Sequence, residues 1–272
     1  MQIQTTADQL IYTTMRLTAL SNGVPIGTGT GFFFTFNFDG HPMDVIVTNK
    51  HVVEGADAVQ LRLHMRNAAG EFLPEGQLFT INFGYVVGHP DPDVDLCAIG
   101  VGAMTTLKKE GRQAFAVSLG AHNIPSEQDW QSFDSVEGVW MVGCPNGLYD
   151  TMNNLPIVRS GITASSPRLL YRGKEEFVVD MACFPGSSGS PIFQAPSLAK
   201  FDRKSGNTQF GRVEKGFLLG ILYAGPMIKN SGEIVLSTTP RVEVTSMMHL
   251  GYAIRSNRIL DFKPLIEPLI GK

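Results

Sequence analysis

The chain has 272 residues, enough for one large domain or two halves of moderate size, each able to bury a core without disulfide staples. With 22 Lys and Arg against 25 Asp and Glu, the net charge is −3 and the pI about 6.1, which provides no basic footprint for nucleic acid or an anionic membrane. Charged residues make up only 17% while 29 glycines and 16 prolines punctuate a 43% hydrophobic chain, so the composition is that of a folded, turn-rich protein and excludes extensive disorder.

Elements in chain order read as strands. The opening, Met1 to Leu20, has neither the basic start nor the apolar run of a secretory signal, and nowhere do eighteen apolar residues run together. Phe32, Phe34, Phe36 and Phe38 alternate with Phe33, Thr35, Asn37 and Asp39, and Val59, Leu61, Leu63 and Met65 alternate with Gln60, Arg62, His64 and Arg66. This period of two predicts half-buried antiparallel strands. Turn signals separate them at Asp39-Gly40, Glu54-Gly55, Ala69-Gly70, Asn146-Gly147 and Ser231-Gly232, with no helical stretches regularly intervening as βαβ crossovers need. A polar stretch from about Lys108 to Glu137 separates a first strand-rich half from a second. Ser256-Asn257 before Arg258-Ile259-Leu260-Asp261-Phe262 offers a cap for a closing helix, kept short by Pro264 and Pro268. The chain is therefore expected to be all-β with a short C-terminal helix.

Cys97, Cys144 and Cys183 are odd in number, widely spaced and without a CxxC, so neither a disulfide framework nor a cysteine zinc site is indicated. The expectation is a cytoplasmic protein with no metal, no cofactor, no nucleic-acid partner and no membrane association.

Three segments carry chemistry. In Phe184-Pro185-Gly186-Ser187-Ser188-Gly189-Ser190-Pro191, small residues let the backbone turn so tightly that the amides of Gly186 and Ser188 can point into one space, as an oxyanion hole requires. In Val45-Ile46-Val47-Thr48-Asn49-Lys50-His51-Val52-Val53, a strand runs straight into a histidine held on rigid scaffold, as a general base must be. In Asp91-Pro92-Asp93-Val94-Asp95-Leu96-Cys97, Asp95 lies closest to an apolar strand and is the carboxylate expected to be buried against a partner, with Asp91 and Asp93 as turn residues. Taken singly, each also suits a structural role: a turn serine, a strand-end histidine, a capping aspartate. Taken together, they supply the hydroxyl, imidazole and carboxylate of a hydrolytic triad, in the order His51, Asp95, Ser188. That order differs from the subtilisin and α/β-hydrolase arrangements.

The order resembles chymotrypsin-like serine proteases, and further blocks resemble their bacterial high-temperature-requirement (Deg-type) branch. These are Gly27-Thr28-Gly29-Thr30-Gly31, Thr48-Asn49-Lys50-His51-Val52-Val53, Asp95-Leu96-Cys97-Ala98-Ile99, Val142-Gly143-Cys144-Pro145-Asn146-Gly147-Leu148, Asp180 to Pro191, Gly220-Ile221-Leu222 and Gly251 to Asn257. No PDZ-sized segment follows residue 262, so the resemblance points to the stand-alone trypsin-like peptidase domains, some of which serve in stress or phage defence. It implies two perpendicular antiparallel six-stranded β-barrels, residues 1–112 carrying His51 and Asp95 and 138–255 carrying Ser188, joined by a connection at 113–137 and followed by a helix and tail at 256–272. It implies a serine endopeptidase with a polypeptide substrate and a regulatory protein partner. A catalytically silent binding scaffold or an esterase would use the same residues. Ser190 stands where the family commonly has glycine. Ser187 stands where zymogen-type relatives have aspartate, so activation by a new N-terminus is not expected.

Counting back along the ungapped block places Ala182 at the base of the S1 pocket with Cys183 beside it, and Tyr223, Ala224 and Gly225 along one wall. With no carboxylate at the base, small or medium apolar P1 residues are expected. Asp180, which period-two alternation puts on the same strand face as Ala182, would instead favour basic ones if it turned into the pocket.

Overall fold

The computed structural model describes residues 3–84, 86–102, 108–109, 111–197, 199–202, 207–211, 216–233 and 241–269. A capped helical turn, α1 (Thr6–Ile11), leads into β1 (Thr14–Ser21), β2 (Val24–Phe38), β3 (His41–Thr48), β4 (Ala58–Arg66), β5 (Phe72–Asn82), β6 (Val86–Gly88), β7 (Cys97–Gly102), β8 (Lys108–Lys109), β9 (Arg112–Phe115) and β10 (Leu119–Gly120). These form one ten-stranded sheet whose main path runs β6-β7-β3-β2-β1-β4-β9-β8. Its pairings are antiparallel except for β10 alongside β2. Asn22-Gly23 and Asp39-Gly40 turn β1 into β2 and β2 into β3, with φ of 51° and 77° and of 47° and 88°, the paired left-handed conformations that a two-residue hairpin loop needs.

A second helical turn, α2 (Glu127–Ser132), precedes β11 (Gly138–Gly143), β12 (Ile157–Thr163), β13 (Glu176–Asp180), β14 (Pro191–Gln194), β15 (Ala199–Asp202), β16 (Asn207–Phe210), β17 (Leu218–Ala224), β18 (Met227–Glu233), β19 (Arg241–Met247) and β20 (Leu250–Arg255). Six of these close a barrel in the order β11-β12-β13-β20-β17-β14, and β15-β16 and β18-β19 are separate two-stranded ribbons.

The all-β expectation holds, and local details differ from it. On β4 the alternation is as expected, with Val59, Leu61, Leu63 and Met65 buried. On β2 it fails, because Phe32, Phe33 and Phe34 are all fully buried. Phe33 packs into the sheet's own core with Leu17, Ile46 and Leu61. Phe32, Phe34, Phe36 and Phe38 face a second core that includes Val142, Phe193, Ile221, Ile254 and Phe262 from the other half of the chain. A strand sandwiched between two cores loses the polar face that an open sheet would keep. Each such phenylalanine contributes about 1.5–3 kcal/mol of burial free energy.

β9 ends at Phe115 and β10 pairs alongside β2 at Leu119–Gly120, so strands of the first sheet extend into the 113–137 stretch expected as a connection. Ser231-Gly232, expected to turn, lies within β18. The closing segment begins with a 3-10 turn, Ser256–Phe262, before a short helix α3 (Lys263–Ile266). Neither residue of the expected Ser256-Asn257 cap caps it: the Ser256 hydroxyl is buried without a partner and Asn257 donates to Glu175. Side-chain caps instead close α1 and α2, where Thr5 with Asp8 and Ser126 with Asp129 bond reciprocally.

Candidate active site

The first half presents a histidine–aspartate pair. β3 ends at Thr48, and a 3-10 turn, Lys50–Val52, lifts His51 out of the sheet. His51 Nδ1 lies 2.5 Å from Asp95 Oδ2, and the His51 amide donates to Asp95 Oδ1 at 3.2 Å. An ionised carboxylate at Nδ1 fixes the proton there, which leaves Nε2 as the basic nitrogen. Asp95 is held in turn by Asn49, whose Nδ2 donates to the Asp95 carbonyl at 2.7 Å. The Asp95 side chain is 25% exposed, so it is half-buried, less than its sequence setting suggested.

The loop before Asp95 is anchored to the C-terminal turn. The Asp91 amide donates to Nδ1 of His89 at 3.1 Å, so the other ring nitrogen of this fully buried side chain carries the hydrogen given to Asp261 at 3.0 Å. Arg258 spans Asp91 and Asp261 at 3.0 and 3.3 Å. As expected, Asp91 is a turn residue, accepting from the Asp93 amide at 3.0 Å.

The second half presents the serine. Gly186 and Gly189 bracket Ser188 with φ of 83° and 86°. In this loop the amides of Ser187, Gly189 and Ser190 donate to Phe184, Leu222 and Ser187 carbonyls. Among the described residues those of Gly186 and Ser188 have no acceptor, which leaves two donors available beside the Ser188 hydroxyl. A neighbouring turn supports the loop: Asn146, at φ 50°, donates its amide to Pro185 at 2.6 Å.

Thr30 ties the two halves together at this point. Its amide donates to the Ser188 carbonyl at 2.9 Å, and its hydroxyl donates to the Gly186 carbonyl at 2.9 Å while accepting from the Cys144 amide at 3.0 Å. Its own carbonyl accepts from the Thr48 hydroxyl at 2.8 Å, three residues before His51. The contact is close: a Cβ on Gly189 would sit 2.0 Å from the Thr30 carbonyl and 2.6 Å from the Thr48 hydroxyl. The flanking glycines have a similar reason, since a Cβ on Gly29 would strike Val52 and one on Gly31 would strike Leu17 and Ile46. Among the described residues Ser188 makes no hydrogen bond to His51.

Of the residues assigned to substrate binding, Ala182, Tyr223 and Ala224 are part-buried, Cys183 is buried and Gly225 is exposed. Burial pushes the thiols of Cys97 and Cys144 up to about 12 and that of Cys183 to about 11. Tyr223 donates to Glu176 at 3.0 Å, and burial followed by that carboxylate raises its pKa. β13 ends at Asp180, which is exposed, and the chain then turns so that the Met181 amide bonds the His249 carbonyl, so strand alternation does not reach Ala182. The Ala182 carbonyl accepts from Arg159 Nη1 at 2.5 Å. Ser190 is fully buried beside Gly143, where any Cβ would meet its hydroxyl at 2.0 Å. Among the described residues no three His, Cys, Asp or Glu side chains converge as a metal site, and no helix is long and apolar enough to cross a membrane.

A closed barrel and a sheet sharing a core, with a histidine–aspartate pair on one and a glycine-bracketed serine on the other, define the scaffold of a trypsin-type peptidase. Residues 29–197 match the trypsin-like peptidase domain, and the chain belongs to that family. Comparison with curated proteins finds no sequence match. Among solved structures it is similar to the HtrA-type protease AlgW with a decapeptide, at TM-score 0.50 and 15% identity over 96% of this chain and 65% of that one. The chain thus spans about two thirds of that protease's length. It is similar also to the protease Anisep from Arthrobacter nicotinovorans, at TM-score 0.50 and 13% identity over 91% of each chain. An inactivated protease paralogue of the scabies mite matches with TM-score 0.50 and 13% identity over 97% of this chain and 96% of that one.

Proposed function

We propose that this chain is a serine endopeptidase acting through an acyl-enzyme. Ser188 attacks the peptide carbonyl, His51 takes its proton and returns it to the leaving amine, and Asp95 orients and stabilises the imidazolium. The Gly186 and Ser188 amides receive the oxyanion. The observation that carries this reading is the pair of amides that, among the described residues, have no acceptor, on a loop hydrogen-bonded through Thr30 to the strand that ends at Thr48, three residues before His51. A silent scaffold has one feature in its favour, the missing Ser188–His51 hydrogen bond, but such bonds often tighten only once substrate is bound. Control by substrate or a regulatory partner acting on the loop agrees with that geometry. The substrate is polypeptide, and the reading includes a cytoplasmic bacterial setting without cofactor.

A fluorophosphonate probe tests the assignment. Labelling is expected at Ser188, absent in Ser188→Ala, and peptide hydrolysis should fall by about 10⁴ in Asp95→Asn, the loss seen when the orienting carboxylate of such a triad is made an amide. An unlabelled wild-type protein, or robust hydrolysis by Ser188→Ala, would sink the assignment.

A further inference from the structure

Arg159 lies on β12 opposite Met141 of β11, and residues directly opposite on paired strands project to the same face. Met141 is buried inside the barrel with Met181, Cys183 and Ile192, so Arg159 points to the barrel side rather than outward. Two residues further on, a Cβ at Gly161 would lie 2.3 Å from the Asp180 carbonyl and 2.8 Å from Met181 Cβ, so β12 is pressed directly onto the segment that leads to Ala182. The guanidinium therefore reaches that segment. One Nη donates to the Ala182 carbonyl at 2.5 Å, and the central carbon lies 4.8 Å from the centre of the Phe184 ring. Its charge is held between residues six and four positions before Ser188.

That charge is uncompensated. Among the described residues no carboxylate pairs with Arg159, and its Nε is buried without a hydrogen-bond partner. Asp180 ends its strand exposed, paired in register with Ile162 and Leu250. A part-buried cation with most of its five donors unused is costly unless a counter-charge arrives. The guanidinium fork matches a carboxylate with two parallel hydrogen bonds.

We propose that Arg159 makes the site select glutamate or aspartate on the acyl side of the cleaved bond. The inference rests on the endopeptidase reading and on the Ala182–Phe184 segment flanking the entering side chain. It displaces the expectation of apolar P1 residues: a basic side chain meets a like charge, and an apolar one leaves the guanidinium desolvated and unpaired. Arg159 is a specificity residue, since it meets the substrate side chain away from the reacting atoms.

The test is a P1-scanning fluorogenic peptide library on the wild-type protein, run beside fluorophosphonate labelling of Ser188. Glu or Asp at P1 should exceed Ala or Leu in kcat/KM by roughly 30-fold or more, the scale of a buried charge-assisted pair. Arg159→Gln, which keeps a donor for Ala182 without the charge, should lose that preference, and Arg159→Lys should keep part of it. If the protein is labelled yet cleaves after Ala or Leu as readily as after Glu, or if Arg159→Gln retains the acidic preference, the role of Arg159 is overturned and the endopeptidase reading stands. No labelling and no cleavage of any peptide overturns that reading and this one with it. The wild-type library decides the preference by itself, so a poorly folding variant does not weaken the test.

Discussion

Replacing Thr30 by valine keeps the shape of the side chain and removes one hydroxyl, and that hydroxyl has two partners. The Cys144 amide, on a buried residue, loses its acceptor, and such a stranded donor costs about 1–3 kcal/mol. The Gly186 carbonyl, on a part-buried residue, loses a donor at 2.9 Å but can turn to water. The stability loss should therefore be about 1–3 kcal/mol, within the 5–15 kcal/mol of a typical domain, so the protein stays folded. The catalytic loss should be larger. With the Gly186 carbonyl released, the Gly186–Ser187 peptide can turn and the loop that presents the Gly186 and Ser188 amides loses a tether, and losing one oxyanion donor lowers kcat by roughly 10²–10³. Urea denaturation measures the first effect, and steady-state hydrolysis with fluorophosphonate labelling rates the second. KM should change little, and Thr30→Ser, which restores the hydroxyl, should recover most of kcat. A Thr30→Val protein with wild-type kcat, or a Thr30→Ser protein as slow as the valine form, would refute the role of Thr30 in holding the loop.

Gly189→Ala forces a Cβ to 2.0 Å from the Thr30 carbonyl at a φ of 86°, so it should unfold or lower the urea midpoint steeply; an unchanged midpoint refutes the close approach. With thiols at about 12, 12 and 11, the thiolate fraction at pH 8 is on the order of 10⁻⁴ to 10⁻³, so Cys97, Cys144 and Cys183 should resist Ellman's reagent until the protein is denatured, and fast native-state titration of any of them would contradict their burial. Burial lowers the pKa of His64 below its ordinary 6.5, so the unfolded chain binds the proton first as pH falls. Its contribution is complete above pH 6.5 and is lost on acidification through 6.5 towards the lowered value; His64→Gln should flatten the fall in Tm between pH 7.5 and 5, and an unchanged slope would refute it.

What the sequence made legible follows from where each signal lies. His51 and Asp95 were readable because their chemistry is carried by residue type and by the strands beside them, and the structure brings them into contact. Strand alternation on β4 was readable because one of its faces is polar, whereas β2 gave a misleading half-buried pattern because two cores cover it. Thr30 was visible only as part of a glycine-threonine run. Its role depends on carbonyls and amides more than a hundred residues away, which no local pattern encodes. Arg159 was invisible for the same reason, since its partner is a backbone carbonyl on a different strand connection. The buried hydroxyl of Ser190 could be read as a departure from the family pattern, but the space beside Gly143 that receives it needed the packing.

The shared core has a consequence for unfolding. Phe32, Phe34, Phe36 and Phe38 come from the first sheet, yet they pack in one cluster with Phe193, Ile221, Ile254 and Phe262 of the second half. Separating the halves would expose several fully buried aromatic rings, each costing about 1.5–3 kcal/mol, and would also break the Thr30 bonds to Ser188 and Gly186. That sum exceeds what either half could keep of the 5–15 kcal/mol typical of a domain, so neither half should persist alone. Unfolding in urea should then be a single transition. Far-UV circular dichroism, to which both halves contribute, should coincide with the fluorescence of Trp130 and Trp140, which lie in the barrel core and against the shared one. Two separated transitions, or an isolated fragment spanning residues 1–120 that folds with a cooperative melt, would show that each half carries its own stability and that the phenylalanine row is only a contact surface.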